Sequence, residues 1–271
     1  MIKIIASDID ETLVDSKKNV PERNVRAISS AEEKGTIVAL ATGRGPYELH
    51  EIPRQAGVIR DDRFIICCNG AIIINAFDRK IVDKSPLNFK YTKNIFNYAL
   101  ANKLEFFIYT LDKKYAINLD KEEKKSYIHF NNLIEIKDGN IDFLEDEIVL
   151  KVLFKNENID SLHSLEVDIA KITDYSLEIA YSSDMYMEIN AKGVDKGKAL
   201  EKLCKHYGID IKDSLAIGDN YNDVAMIQSA GIGVAVKNAH LQVKETADYV
   251  TKATNEEGAV GEAIEKFVLN K

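Results

Sequence analysis

No stretch of this sequence approaches the roughly 20 consecutive apolar residues that a membrane-crossing helix needs, so a membrane protein is not expected. In the first segment, MIKIIASDIDE, Asp8 and Asp10 break the short apolar run. That excludes the uninterrupted hydrophobic segment and cleavage region of a secretory signal. Cysteine is scarce: Cys67, Cys68 and Cys204 make an odd count, two of them adjacent, without metal-ligand spacing. A disulfide framework and a zinc site are both poor readings of that arrangement, and a cytoplasmic protein with reduced, buried thiols is the expectation. The five histidines, His50, His129, His163, His206 and His240, are scattered and are expected to be structural or surface residues. Basic charge is also in deficit, with 36 Lys and Arg against 44 Asp and Glu for a net charge of -8. The lysines are interspersed with acids instead of forming a stripe, so nucleic acid is not an expected partner.

What is present suits a compact globular chain. A length of 271 residues with 45% hydrophobic content can fill one ordinary core and a second, smaller one. Residues 2–7, IKIIAS, read as a fully buried strand, because they form an isoleucine-rich run without sustained alternation. Pro21, then Val25, Ile28 and Ala31 at helical spacing, then Gly35, predict a helix, and TIVALA at 36–41 a second buried strand. The segment FIICCNGAIII predicts a hairpin with Asn69-Gly70 as its turn.

From about residue 83 the texture changes to short strand candidates, EFFIYTL, YAINL, IVLKVLF, SLEIAYS and MYMEIN, and most of the chain's tyrosines and phenylalanines lie between positions 83 and 190. This suits an α+β domain with a mainly antiparallel sheet. The α/β pattern resumes near Gly193, with a helix in DKGKALEKLCKHYG, a strand in SLAIGD, a helix in YNDVAMIQSAG, a strand in GIGVAV and a closing helix over 256–269 burying Val260, Ile264, Phe267 and Val268. The fold class read from this order is α/β, a three-layer Rossmann-like parallel-sheet core with an inserted α+β domain. Its boundaries are a core of 1–82 and 191–271 and an insertion of 83–190.

Asp8 and Asp10 sit where the first strand gives way to a loop, and Asp219 and Asp223 follow the strand SLAIG in the same way. Two neighbouring parallel strands would thus deliver carboxylates to one sheet edge. Hard oxygen ligands of this kind suit Mg²⁺. Thr42, Gly43 and Arg44 end the strand TIVALA, where a hydroxyl and backbone N–H groups can hold phosphate oxygens. One of Lys192, Lys196 and Lys198 could neutralise phosphate or carboxylate charge, and spacing alone does not choose among them.

The ordered set DxDxT, TGR, a lysine before a helix and GDxxND resembles the haloacid dehalogenase-like superfamily, and within it the Cof-type phosphatases with a large inserted α/β cap. The resemblance is carried by DIDETL at 8–13, ATGR at 41–44, NGA at 69–71, KGVDKGKAL at 192–200, GDNYNDVAM at 218–226 and GVAVKNA at 233–239, and it runs through essentially the entire chain. It implies a Mg²⁺-dependent phosphatase in which Asp8 is the nucleophile and Asp10 the general acid and base, Asp10 also giving its carbonyl to the metal. Thr42, Gly43, Lys196 and Asn222 are implied at the phosphate, and Asp8, Asp10, Asp219 and Asp223 at the metal, with Asp223 a direct ligand or a supporting partner. Arg44, Asn69, Gly70 and Asn238 are implied at the substrate edge. Glu11 departs from the pattern, in which glycine is commonest, and is acceptable if its φ stays negative.

The expected reaction is hydrolysis of a small phosphate monoester through an aspartyl-phosphate, with a cap that closes to exclude water and opens for release. Sugar phosphates are the first substrate class. Phosphoglycolate and phosphorylated cofactors such as pyridoxal phosphate or flavin mononucleotide are alternatives, since tyrosine and phenylalanine can stack on a flat ring. A phosphomutase uses the same carboxylates, and a non-enzymatic sugar- or nucleotide-binding module is the reading from a different class. The oligomeric state is left open between a monomer and a small homo-oligomer.

Overall fold

The computed structural model of the protein describes residues 1–119 and 132–270, and His129 lies outside them. The chain forms two compact units. The first comprises Met1–Arg44, Glu48–Lys84 and the chain from Asp195 onward, and the second comprises Gly45–Tyr47 and Ser85–Val194.

The first unit is built on a sheet of eight strands: β1 (Ile4–Asp8), β2 (Ile37–Ala41), β3 (Phe64–Cys67), β4 (Ile72–Asn75), β5 (Ile81–Lys84), β12 (Ser214–Gly218), β13 (Ile232–Ala235) and β14 (Tyr249–Val250). They lie in the order β14-β13-β12-β1-β2-β3-β4-β5. Pairing is parallel from β14 to β3 and antiparallel across β4 and β5. β1 is buried along its whole length, as an isoleucine-rich strand between two parallel neighbours must be.

Strand alternation sends Ile4, Ala6, Ala39, Ala41, Phe64, Ile66 and Ala216 to one face, where they pack against Ala199, Leu200, Leu203 and Cys204 of the helix Lys196–Tyr207. On the helix Glu22–Glu33, Asn24 is buried and stitches three segments together. Its amide donates to the Leu13 carbonyl at 2.9 Å, and its Oδ1 accepts from Gly261 N at 2.7 Å.

Two local expectations change. The hairpin at 64–75 forms, but β3 and β4 are joined by the four residues 68–71, not by a two-residue turn. Cys68, Asn69 and Gly70 all adopt positive φ, at 50°, 57° and 102°. The closing segment is also not one helix. A short 3₁₀ turn, Asn255–Glu257, gives way at Gly258 (φ 82°) to the helix Ala259–Ile264 and then to a π-helical turn, Glu265–Leu269. The wider turn retards the helical phase, so Val260 and Ile264 are buried as expected, while Leu269 is buried in place of Phe267 and Val268.

The second unit has its own sheet among the described residues: β6 (Phe106–Tyr109), β7 (Lys114–Ile117), β8 (Leu133–Glu135), β9 (Lys151–Lys155), β10 (Leu177–Ser182) and β11 (Tyr186–Ala191), in the order β10-β11-β9-β6-β7-β8. Pairing is antiparallel except between β7 and β8. The five strand candidates of the sequence correspond to β6, β7, β9, β10 and β11. One face carries Phe106, Ile108, Val152, Phe154, Met187 and Ile189, packed with the helices Phe89–Ala101 and Ile159–Ile172. The other face is polar: buried Lys151 pairs with buried Glu188, and the ammonium groups of Lys114 and Lys151 each lie 4.5 Å from the Tyr109 ring centre.

No helix among the described residues is long and apolar enough to cross a membrane. All three cysteines are free and buried.

Candidate active site

The order of the parallel strands decides where chemistry can gather. β1 is flanked by β2 on one side and β12 on the other, which is the point where an open α/β sheet reverses its winding and leaves a crevice beyond its carboxyl ends. In register, Asp8 faces Ala41 at the end of β2, and Ser7 faces Ile217 near the end of β12. The residues that follow these strands, Asp10, Thr42 and Asp219, are therefore delivered to one rim.

At that rim the Lys196 ammonium, fully buried in the first turn of its helix, donates to Asp8 Oδ1 and to Asp223 Oδ1, both at 2.6 Å. Neither of the other two candidate lysines has this environment. Lys192 is exposed, and Lys198 is exposed and paired with Glu201. The second oxygen of Asp223 accepts the backbone N–H groups of Asp219 and Asn220, each at 3.0 Å. This tight loop explains Gly218 in the motif, because a Cβ there would lie 2.5 Å from the Asp223 side chain. Asp219 accepts a short hydrogen bond from the Thr12 hydroxyl. Carboxylate oxygens of Asp8, Asp219 and Asp223 all lie within 4.8 Å of one another.

The donor set fits a divalent cation that prefers oxygen. Three buried carboxylates face a single ammonium, which leaves uncompensated negative charge in a poorly solvated place. Burial, then the nearby Asp223 carboxylate, raises the Asp8 carboxyl above its ordinary range. Burial, then Asp8 and Asp223, does the same to Asp219. Burial alone would lower the Lys196 ammonium, but Asp223 and Asp8 reverse that and keep it charged.

Asp10 points elsewhere. Its carboxylate is held by Arg44 in a two-pronged pair, Nε to Oδ2 at 2.7 Å and Nη2 to Oδ1 at 2.6 Å, and by the Lys18 ammonium at 2.8 Å from Oδ1. Burial acts to raise this carboxyl, but Arg44 and Lys18 outweigh it and hold it at about 2. The Asp10 side chain is thus absent from the three-carboxylate group, and its backbone carbonyl is the atom through which the resemblance ties it to a metal. Two aspartates at strand spacing diverge because the strand ends at Asp8 and Asp10 already lies in the turn that follows, a turn that becomes left-handed at Glu11, φ 57°. This overturns the expectation of a negative φ at Glu11, and a glycine would suit that conformation without the Cβ clash.

The remaining sequence candidates line or brace the same rim. Thr42 is buried, and its hydroxyl accepts from Arg44 N at 3.1 Å; Gly43 lies between them. The Asn222 amide donates to Asn69 Oδ1 at 3.1 Å, joining the loop after β12 to the loop after β3. Gly70 is obligatory for space, since a Cβ would meet the Asp195 carbonyl at 2.5 Å. Asn238 reaches back to the loop after β1, donating to the Glu11 carbonyl at 2.7 Å while accepting from Asn255 N at 3.0 Å. Sequence reasoning gave no separate part to Thr12, although it belongs to the DxDxT pattern, and none to Lys18, for which no motif gives a signal. His240 donates its backbone N–H to the Asp219 carbonyl at 3.0 Å, and its ring centre lies 4.7 Å from that of Tyr221.

Comparison with known proteins identifies the family. The family model of the haloacid dehalogenase-like hydrolases matches residues 5–264. A 5-amino-6-(5-phospho-D-ribitylamino)uracil phosphatase of Bacillus subtilis (strain 168) is 31% identical over 272 residues, covering 99% of this chain and 96% of its own. A phosphoglycolate phosphatase of Methanobrevibacter smithii is 29% identical over 272 residues, covering 99% of each chain. Among solved structures, a haloacid dehalogenase-like hydrolase from Bacteroides thetaiotaomicron superposes with a TM-score of 0.82 at 30% identity, covering 98% of this chain and 99% of its own. A model matched across nearly the full length, by a chain whose carboxylates meet at the switch point of a parallel sheet, leaves one conclusion: this protein belongs to the haloacid dehalogenase-like hydrolase family.

Proposed function

We propose that this hydrolase is a Mg²⁺-dependent phosphatase that transfers the phosphoryl group of a small phosphate monoester to Asp8 and then to water. The observation that carries the reading is the convergence of Asp8, Asp219 and Asp223 at the carboxyl edge of the sheet, with buried Lys196 bonded to Asp8 and Asp223. Asp8, Asp219 and Asp223, with the carbonyl of Asp10, would hold the cation. Bound there, Mg²⁺ would supply charge neutralisation that lets an anionic side chain approach an anionic ester.

The chain's own residues account for the rest. One Asp8 oxygen forms a bond to phosphorus as the bond to the ester oxygen breaks, giving an aspartyl-phosphate. Asp10, which Arg44 and Lys18 hold ionised here, must exchange those contacts for the ester oxygen and be protonated before it gives a proton to the departing alkoxide; it then takes one from the water that hydrolyses the acyl-phosphate, returning Asp8 to a carboxylate and Asp10 to its acid form. The Lys196 ammonium and the Thr42 hydroxyl, with N–H groups around Gly43 and the Asn222 amide, offset the charge that builds on the transferring oxygens.

Phosphorylated sugars and sugar alcohols are the preferred substrate class. Two relatives of comparable similarity hydrolyse different esters by name, a ribityl phosphate carried on a uracil and phosphoglycolate. The ribityl compound unites both classes inferred from the sequence, a polyol phosphate and a flat ring.

The test is a panel of metabolite phosphates that includes both compounds, compared by kcat/KM with and without chelator. Asp8→Asn should abolish turnover of an activated aryl phosphate while the fold is retained, and isotope-labelled water should enter the released phosphate. Turnover by Asp8→Asn equal to the parent's would refute the nucleophile assignment, and full activity in chelator would refute the metal.

A further inference from the structure

Three segments carry the residues proposed to hold the phosphate: the loop after β2 with Thr42 and Gly43, the loop after β12 with Asn222, and the first turn of the Lys196 helix. The loop after β3 meets all of them. Asn69 N donates to the Thr42 carbonyl at 3.0 Å, and Cys68 N donates to the Arg44 carbonyl at 2.9 Å. Gly70 packs closely on the start of the helix, where a Cβ would stand 2.5 Å from the Asp195 carbonyl. On the remaining side, Asn69 Oδ1 accepts from the Asn222 amide at 3.1 Å.

Asn69 is 3% exposed and stands between Cys68 and Gly70 in a run of three residues with positive φ. Asparagine is one of the few residues with a side chain that visit this left-handed region routinely. The sharp turn lets one residue fasten two loops, its N–H on Thr42 and its side-chain oxygen on Asn222. A carboxamide is a donor at its nitrogen and an acceptor at its oxygen, and a phosphate distinguishes them, because the N–H groups attract its oxygens and the carbonyl oxygen repels them. Asn69 Oδ1 requires a donor opposite it. Asn222 must therefore turn its nitrogen to that side, where one of its two N–H groups is engaged and the other is held in the same plane.

We propose that Asn69 is a positioning residue for phosphoryl transfer: its side-chain oxygen sets which way round the Asn222 amide sits, so that the second N–H of that amide serves the transferring oxygens. This rests on the reading of Asn222 as a phosphate-binding residue. Asn69 acts through Asn222 and need not touch the ester itself.

The test is a double-mutant cycle on kcat/KM for p-nitrophenyl phosphate, read well below every melting temperature. Asn69→Gly removes the carboxamide, keeps the N–H on Thr42 and suits the left-handed backbone. It should lose about tenfold, as when a group at the reacting centre is held out of place. Asn222→Ala should lose about a hundredfold, the scale of one missing donor to developing charge. The double variant should match Asn222→Ala to within about twofold, because Asn69 then has nothing to orient. Asn69→Ala keeps a Cβ in left-handed backbone and should melt below Asn69→Gly, yet give the same kcat/KM, which separates the effect from stability.

A double variant about tenfold below Asn222→Ala, or an Asn69→Gly variant with the parent's kcat/KM, would overturn this inference and leave the phosphate role of Asn222 standing. If Asn222→Ala itself keeps the parent's kcat/KM, that role is refuted and the inference goes with it.

Discussion

Lys196 and Asp223 are 2.6 Å apart, and neither side chain has any exposure to solvent. An ammonium and a carboxylate in such a place are stable only together, because each would otherwise be a buried charge without compensation. Among the described residues, Lys196 is the cation that bonds both Asp8 and Asp223. Lys196→Met should therefore destabilise the protein by about 3 kcal/mol or more and abolish phosphatase activity. Urea unfolding with and without Mg²⁺ checks this, and added Mg²⁺ should recover part of the stability but none of the activity.

The Asp8 carboxyl is raised by burial and by Asp223, and that of Asp219 by burial and by Asp8 and Asp223. A raised folded value means that the folded state binds more protons than the unfolded state once pH exceeds the ordinary carboxylate range. Their contribution to stability is then present below that range and is lost as pH rises through the folded values. Without a divalent cation, the melting temperature should fall from about pH 4 towards neutrality through these groups. Asp219→Asn should flatten that fall, and Mg²⁺ should reverse it in the parent but much less in the variant. A set of thermal melts across pH reads both effects.

Glu11 tests the cost of a side chain in left-handed backbone. Its carbonyl is fixed by Asn238, and its side chain is exposed, so the substitution Glu11→Gly removes no packed atoms. It should stabilise the chain by about 0.5 to 1 kcal/mol, the left-handed penalty less the extra freedom that glycine has when unfolded. Denaturant midpoints measure this, and kcat should stay within about twofold because the loop path is retained.

Gly70 gives the opposite outcome. With φ 102° and the Asp195 carbonyl 2.5 Å from where a Cβ would stand, Gly70→Ala must move either the loop after β3 or the start of the Lys196 helix. A loss of about 2 kcal/mol or more is expected. Activity should fall further than stability does, since Lys196 is the first residue of that helix; kcat at a temperature well below the melting point separates the two.

Much of this site was legible before any coordinates, for a physical reason. Asp8, Asp219 and Thr42 each follow an apolar run that reads as a buried strand, and consecutive buried strands in an α/β order run parallel, so residues just past their ends share one rim. The hydrophobic pattern likewise marked five of the six described strands of the second unit, all but β8, and the helix that presents Lys196. These are local properties, encoded within a few residues of each motif.

Other features depend on contacts between segments far apart in the chain. Spacing could not choose among Lys192, Lys196 and Lys198, because the choice is made by which side chain the fold buries beside Asp8 and Asp223, 188 and 27 residues distant. Nor could it foresee that Asp10 turns to Arg44 and Lys18 while Asp8 turns to Lys196, since that divergence comes from the strand ending between them and from partners on other segments. Sequence by itself determined which residues arrive at the rim. Only the tertiary structure decided which charges face one another there, because a charge is held by whatever partner the packing brings within about 3 Å of it, and that partner comes from another part of the chain.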